Sequence, residues 1–151
     1  MGGHEQSTVA SWDAIAFRHD LHAHPELAFA EHRTAARIRE VLSATGMTIE
    51  SGIAGTGIVA HLKAGSSDRR IALRADMDAL PITEATGLSY QSTQPGVFHG
   101  CGHDGHVTML LGAARHLSQT RRFDGAVSFI FQPAEEGRAG AKAMIEAGLL
   151  T

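Results

Sequence analysis

Residues 98–106 read FHGCGHDGH, which sets His99, Cys101, His103 and His106 within one short segment. Cys101 is the only cysteine of the chain. Thiolate and imidazole both bind zinc-like cations, and a thiolate can also attack as a nucleophile. In an extended segment Cys101 and His103 point to the same side, with Cβ atoms about 7 Å apart. Two donors on one cation lie about 3–3.5 Å apart. Gly100, Gly102 and Gly105 permit the bend that closes this gap. Two cations about 3.5–4 Å apart relax the demand further, because a thiolate can bridge them. The spacing alone serves equally well a buried cysteine beside surface histidines.

Two acidic groups complete the chemistry-bearing set. Glu135 and Glu136 lie in QPAEEG, just after an apolar run. Adjacent carboxylates at a strand end do not easily share one face. One can therefore anchor a cation while the other takes a proton from water, the division of labour of metal-assisted hydrolysis. The same pair would also suit the start of a solvated helix, where the dipole favours acid. Asp76 and Asp78, in LRADMDALP, stand just beyond another apolar strand pattern. Ligands of open α/β sheets gather at such strand ends, and an aspartate there can orient a metal-binding histidine through its second nitrogen. A solvated loop explains the two aspartates as well.

Other features fit poorly with a chemical role. GTGIVA, at 55–60, has dinucleotide-type glycine spacing, but IVAHLKA after it alternates like a strand where that motif needs a helix. His22 and His24 precede Pro25 at a helix end and suit packing or capping. Cys101 as the nucleophile of a thiol enzyme would leave Glu135 and Glu136 without a task.

The positioning elements follow from periodicity. Residues 8–22 form an expected helix with Val9, Trp12, Ile15, Ala16 and His19 on its apolar face, ended by Pro25. A second helix is expected over 31–45, with the stripe Ala35, Ile38, Val41 and Leu42 and with Gly46 as its stop. Strands are expected in MTIES, in 55–65, in RRIALRADMD with 71–74 as its core, and in 126–131. Residues 80–102 read as a loop, 104–119 as a helix, and AGAKAMIEAGLL as a last helix ending near Gly148. Strands interleaved with helices predict an α/β fold with a mostly parallel sheet.

Composition excludes several classes. With 43% hydrophobic and 19% charged residues the chain reads as globular. A net charge of −3 with scattered basic residues, and few aromatics, argues against nucleic-acid binding. No apolar run approaches a membrane span. The first residues, MGGHEQSTVASW, lack the apolar core of a secretory signal, and a lone cysteine fits a reducing compartment, so a cytoplasmic location is expected.

Four stretches together carry a resemblance: FRHDLHAHPELAFAEHRTA, IALRADMDALPI, FHGCGHDGHVTMLLGAA and FIFQPAEEG, in this order from Phe17 to Gly137. They resemble the M20 metallopeptidase family, in particular its amidohydrolase branch of hippurate hydrolases, N-acyl-amino-acid amidohydrolases and plant indole-acetyl-amino-acid hydrolases. Branch members mostly read HACGHDGH where this chain has Gly100. The resemblance implies a three-layer α/β/α zinc-peptidase-like catalytic domain and two divalent ions, Zn²⁺ or Mn²⁺, with Co²⁺ or Ni²⁺ as further candidates. It implies Cys101, His103 and Glu136 as metal ligands, Glu135 as the general base, and Asp78 as the aspartate that orients the site. Asp76 stands where the wider family has a ligand histidine and is left without a role. The implied reaction is hydrolysis of the amide of a small N-acyl amino acid.

Family members are more than twice as long and carry further ligand histidines beyond the glutamate pair. Residues 1–151 are therefore expected to be the N-terminal part of the catalytic domain, without the inserted dimerisation or lid domain and the C-terminal part. The longer relatives imply a homodimer. The rival expectation is an inactive fragment with at most weak metal binding.

Overall fold

The computed structural model describes residues 12–150. Five helices and four strands follow in the order α1 (Ala14–Ala23), α2 (His32–Ser43), β1 (Thr48–Ile53), β2 (Gly57–Ala64), β3 (Arg70–Asp76), α3 (His103–Thr120), β4 (Gly125–Gln132), α4 (Glu135–Arg138) and α5 (Gly140–Glu146). Val9 and the first residues of the expected opening helix lie outside the described residues. Helix α1 starts later than its periodicity predicts, because the Asp13 carboxylate caps it by accepting from the N–H groups of Ile15 and Ala16. From that start the buried face is Phe17, Leu21 and His22, and Ile15 is 70% exposed. Helix α2 buries the expected Ile38, Val41 and Leu42.

The sheet order is β1-β2-β4-β3. Here the mostly parallel expectation is corrected. β1 pairs antiparallel with β2, and β2 antiparallel with β4; among the described strands, only β3 and β4 run parallel. Connection length decides this. Three residues, 54–56, join β1 to β2, enough for a hairpin and far too few for a crossover. The parallel pair is the one bridged by a long connection containing α3. The sheet is thus open and mixed.

One face of the sheet meets α1, α2 and α3. Ile58, Ala60 and Leu62 of β2 and Val127, Phe129 and Phe131 of β4 alternate inward onto Phe17, Leu21, Ile38, Leu42, Val107 and Leu111. Phe129 and Phe131 are fully buried, each contributing about 1.5–3 kcal/mol of transfer free energy. On the other face α5 lies against β4, and Met144 Cε comes within 3.0 Å of where a Cβ of Gly57 would stand. The expected core of β3 at 71–74 is not buried. Ile71 is 59% exposed, and burial begins at Ala75, because β3 is the edge strand.

Candidate metal centre

β3 and β4 run side by side to Asp76 and Gln132, and the Met77 N–H donates to the Gln132 carbonyl at 3.1 Å. Their carboxyl ends therefore release two loops next to each other, one carrying Asp78, the other Glu135 and Glu136. The third contribution comes from the start of α3. Gly102 takes a left-handed φ of 80°, which turns the chain sharply from Cys101 into the helix, with His103 as its first residue. Gly105, also expected to help the bend, lies inside α3.

The result is convergence. Donor atoms of Cys101, His103 and Glu136 all lie within 4.8 Å of one another. His103 Nε2 is 3.8 Å from Glu136 Oε1, 3.9 Å from Glu135 Oε2 and 3.5 Å from Asp76 Oδ1. His103 Nδ1 lies 2.8 Å from the carbonyl oxygen of Asp78. A carbonyl only accepts, so Nδ1 carries a hydrogen and donates it. Nε2 is left to the cavity with its lone pair in the neutral ring, the tautomer a metal ligand needs. The Asp78 carboxylate stands behind both groups: Oδ1 is 3.3 Å from His103 Nδ1, and Oδ2 accepts from the Glu136 N–H at 2.9 Å.

Burial alone would raise the Asp78 pKa, but hydrogen bonds from His103 and from the backbone of Glu136 and Glu135 outweigh it and hold the carboxyl below its ordinary value. For His103, burial would favour the neutral ring, but the Asp78 and Asp76 carboxylates outweigh it and raise the pKa. The Cys101 thiol, hydrogen-bonded to Glu136 and further disfavoured as an anion by partial desolvation and by the charges of Glu136, Glu135 and Asp76, is pushed up to about 11. A thiol so placed is a poor free nucleophile at neutral pH, which removes the support for a thiol enzyme. The same surroundings fit a divalent cation. Three carboxylates, those of Asp76, Glu135 and Glu136, lie around the lone-pair nitrogen of His103, and a cation there would favour the thiolate that the surroundings without it oppose.

Three neighbours, Asp76, His106 and His99, were not assigned a role from the sequence. Asp76 Oδ1 is 2.6 Å from His106 Nδ1, and Oδ2 accepts from Arg74 at 3.2 Å. Asp76, His103 and His106 form a second group whose donor atoms lie within 4.8 Å of one another. His103 and His106 are spaced i, i+3 on a helix, a signal for a shared face that the sequence does carry. His99 is 4% exposed, burial lowers its pKa to about 4, and neither ring nitrogen has a hydrogen-bond partner among the described residues.

His22 and His24 serve structure. His22 places one ring nitrogen 2.9 Å from Asp104 and the other 3.2 Å from Glu84, while Arg18 donates to Asp104. This buried chain joins α1, the 80–102 loop and the first turn of α3, and so fixes the segment that presents His103. His24 Nδ1 is 2.8 Å from the Asp20 carbonyl.

Comparison with known proteins identifies this architecture. The model of peptidase family M20/M25/M40 matches residues 72–151, more than half of the chain. The chain belongs to that family. It is 52% identical over 132 residues to a hippurate hydrolase of Campylobacter jejuni, covering 87% of this chain and 34% of that one. It is 46% identical over 140 residues to an N-acyl-L-amino acid amidohydrolase of Geobacillus stearothermophilus, covering 91% of this chain and 38% of that one. The chain therefore spans little more than a third of the length of these relatives. Among solved structures, a Bacillus subtilis protein described as a dinuclear metal binding peptidase from the M20 family superposes with a TM-score of 0.86 at 45% identity, over 91% of this chain and 39% of that one.

Proposed function

We propose that this chain supplies the metal-binding core of an amidohydrolase that splits small N-acyl amino acids into a carboxylic acid and an amino acid. The observation that carries the reading is the convergence of Cys101, His103 and Glu136 with Glu135 beside them. The names of similar proteins support it: hippurate hydrolase, N-acyl-L-amino acid amidohydrolase and N-acetylcysteine deacetylase.

Cys101, His103 and Glu136 hold the cation side of the site. Two divalent ions, when bound, supply the Lewis acidity that polarises the amide carbonyl and acidifies water. Glu135 is the general base. It takes a proton from the water whose oxygen attacks the carbonyl carbon, then returns that proton to the nitrogen as the carbon–nitrogen bond breaks. Its side chain is 41% exposed, which leaves it open to water and substrate. Asp78 fixes the His103 tautomer and the Glu136 backbone. The thiolate favours Zn²⁺, while the carboxylates suit Zn²⁺ and Mn²⁺ alike. A cytoplasmic location and a homodimer for the longer protein belong to the same proposal; a single cysteine, which cannot pair within the chain, supports the first.

The test is metal analysis together with hydrolysis of a panel of N-acetyl and N-benzoyl amino acids by the gene product and its Glu135→Ala variant. Turnover is expected to fall by about 10²–10⁴ while metal content stays. Loss of metal with turnover retained would contradict the assignment.

A further inference from the structure

Glu31 is fully buried and stands at the N-cap of α2, yet its side chain caps nothing there. That duty falls to Glu26, which accepts from the N–H groups of Arg33 and Thr34 and from the Thr34 hydroxyl. The Glu31 carboxylate turns inward instead. Oε2 accepts from the Thr56 hydroxyl at 2.7 Å, and Oε1 accepts from the Ala134 N–H at 2.9 Å, across 103 residues of sequence. A buried carboxylate is costly unless its oxygens are satisfied, and here both are, by two segments distant in the chain.

Ala134 is the residue immediately before the glutamate pair. It is fully buried and takes a left-handed conformation, φ 54° and ψ 44°, which disfavours any residue with a Cβ. It persists because it is held at both ends: its N–H by Glu31 and its carbonyl by the Gly140 N–H at 2.9 Å. This turn aims the next two residues into the site. The Glu136 N–H is then fastened by Asp78.

We propose that Glu31 is a positioning residue for Glu135 and Glu136, acting through the backbone of Ala134; this rests on the reading of those glutamates as base and ligand. Thr56 is bystander to that role, since it contacts only the other oxygen.

The chain as it stands can be titrated with Co²⁺ and followed by the thiolate-to-cobalt band of Cys101 and the visible d–d bands. Glu31→Ala is expected to weaken Co²⁺ binding about tenfold to hundredfold, the usual range for losing a group that orients a ligand, and to shift the d–d bands as Glu136 is displaced. Glu31→Asp is too short to reach both partners and is expected to behave likewise; it serves where Glu31→Ala does not fold by circular dichroism. Glu31→Gln can offer its oxygen to Ala134 while the Thr56 hydroxyl turns to accept, so wild-type affinity and spectrum should return within about threefold. Thr56→Val should also keep them. Folded Glu31→Ala or Glu31→Asp protein with wild-type affinity and spectrum overturns the proposal, as does an equal loss in Thr56→Val, which would make Glu31 a general stabiliser. A wild-type chain that takes up no Co²⁺ at all overturns the functional reading itself, and with it this proposal.

Discussion

The Glu136 N–H donates to Asp78 Oδ2 at 2.9 Å, while the other Asp78 oxygen lies 3.3 Å from His103 Nδ1. One residue thus holds two of the three donors read as cation ligands, the Glu136 backbone through its carboxylate and the His103 ring through its carbonyl, with the carboxylate close beside that ring. Asp78→Asn cannot do the same. With its oxygen on the Glu136 N–H, its NH2 stands against the Nδ1–H of His103; turned the other way, it loses the Glu136 N–H. Cation affinity is expected to fall about tenfold to hundredfold, measured by Zn²⁺ or Co²⁺ titration with the fold checked by circular dichroism. Undiminished affinity would remove Asp78 from the site.

Cation uptake should release protons. The Cys101 thiol, at about 11 without a cation, and His103, with its raised pKa, both hold protons that a bound metal must displace. Affinity is therefore expected to rise between about pH 6.5 and 8.5, by close to tenfold per pH unit for each proton released. Calorimetry in buffers of different ionisation enthalpy counts those protons, and an affinity flat in pH would contradict the ligand set.

Gly140 is needed for lack of a side chain. A Cβ there would stand 1.7 Å from the Pro133 carbonyl oxygen and 3.1 Å from the Ala134 carbonyl carbon, both rigid backbone. Gly140→Ala should push the glutamate loop out of place. It is expected to cost about 1–3 kcal/mol in chemical denaturation and to lower cation affinity as well. Unchanged stability and affinity would show that the turn yields freely.

Acid stability has a separate source. Asp20 accepts from Arg33 at 2.7 Å and from Arg37 at 3.1 Å, tying α1 to α2. Burial would raise its pKa, but the two guanidinium groups outweigh it and lower it. A depressed carboxylate stabilises fully above its unfolded-state pKa of about 3.9 and loses that contribution as pH falls through the folded value. Asp20→Asn should therefore cost stability at pH 6 and little at pH 2.5, seen as a flatter acid limb in thermal melts. Equal losses at both pH values would count against the ion pairs.

The helices with continuous apolar stripes were legible in the sequence. Of the α2 stripe Ile38, Val41 and Leu42 are buried and Ala35 partly so; in α3, Val107, Leu110, Leu111, Ala114 and Leu117 recur at helical spacing, the first four buried and Leu117 partly so. Strand direction was not legible, because alternation records which face is buried and not which neighbour a strand takes. Ile71 reads as core by type, and only the edge position of β3 explains its exposure. Within the site, Cys101, His103, Glu135 and Glu136 stood out through unusual residue types in short motifs. The contact of His106 with Asp76 depends on β3 lying beside the first turn of α3, which no local pattern states. Glu31 was hidden for another reason: an acid at a helix start already has an ordinary explanation in the helix dipole.

The central claim is that Cys101 Sγ, His103 Nε2 and the Glu136 carboxylate converge on the same pair of cations. It is tested most directly by anomalous diffraction at the zinc edge from crystals of the Zn²⁺-loaded protein. The expected result is anomalous density, in one peak or two adjacent ones, that places each of the three donors at bonding distance, about 2.0–2.3 Å, from a cation. Density elsewhere, or density that leaves the sulfur, His103 or the Glu136 carboxylate unbound, would contradict it.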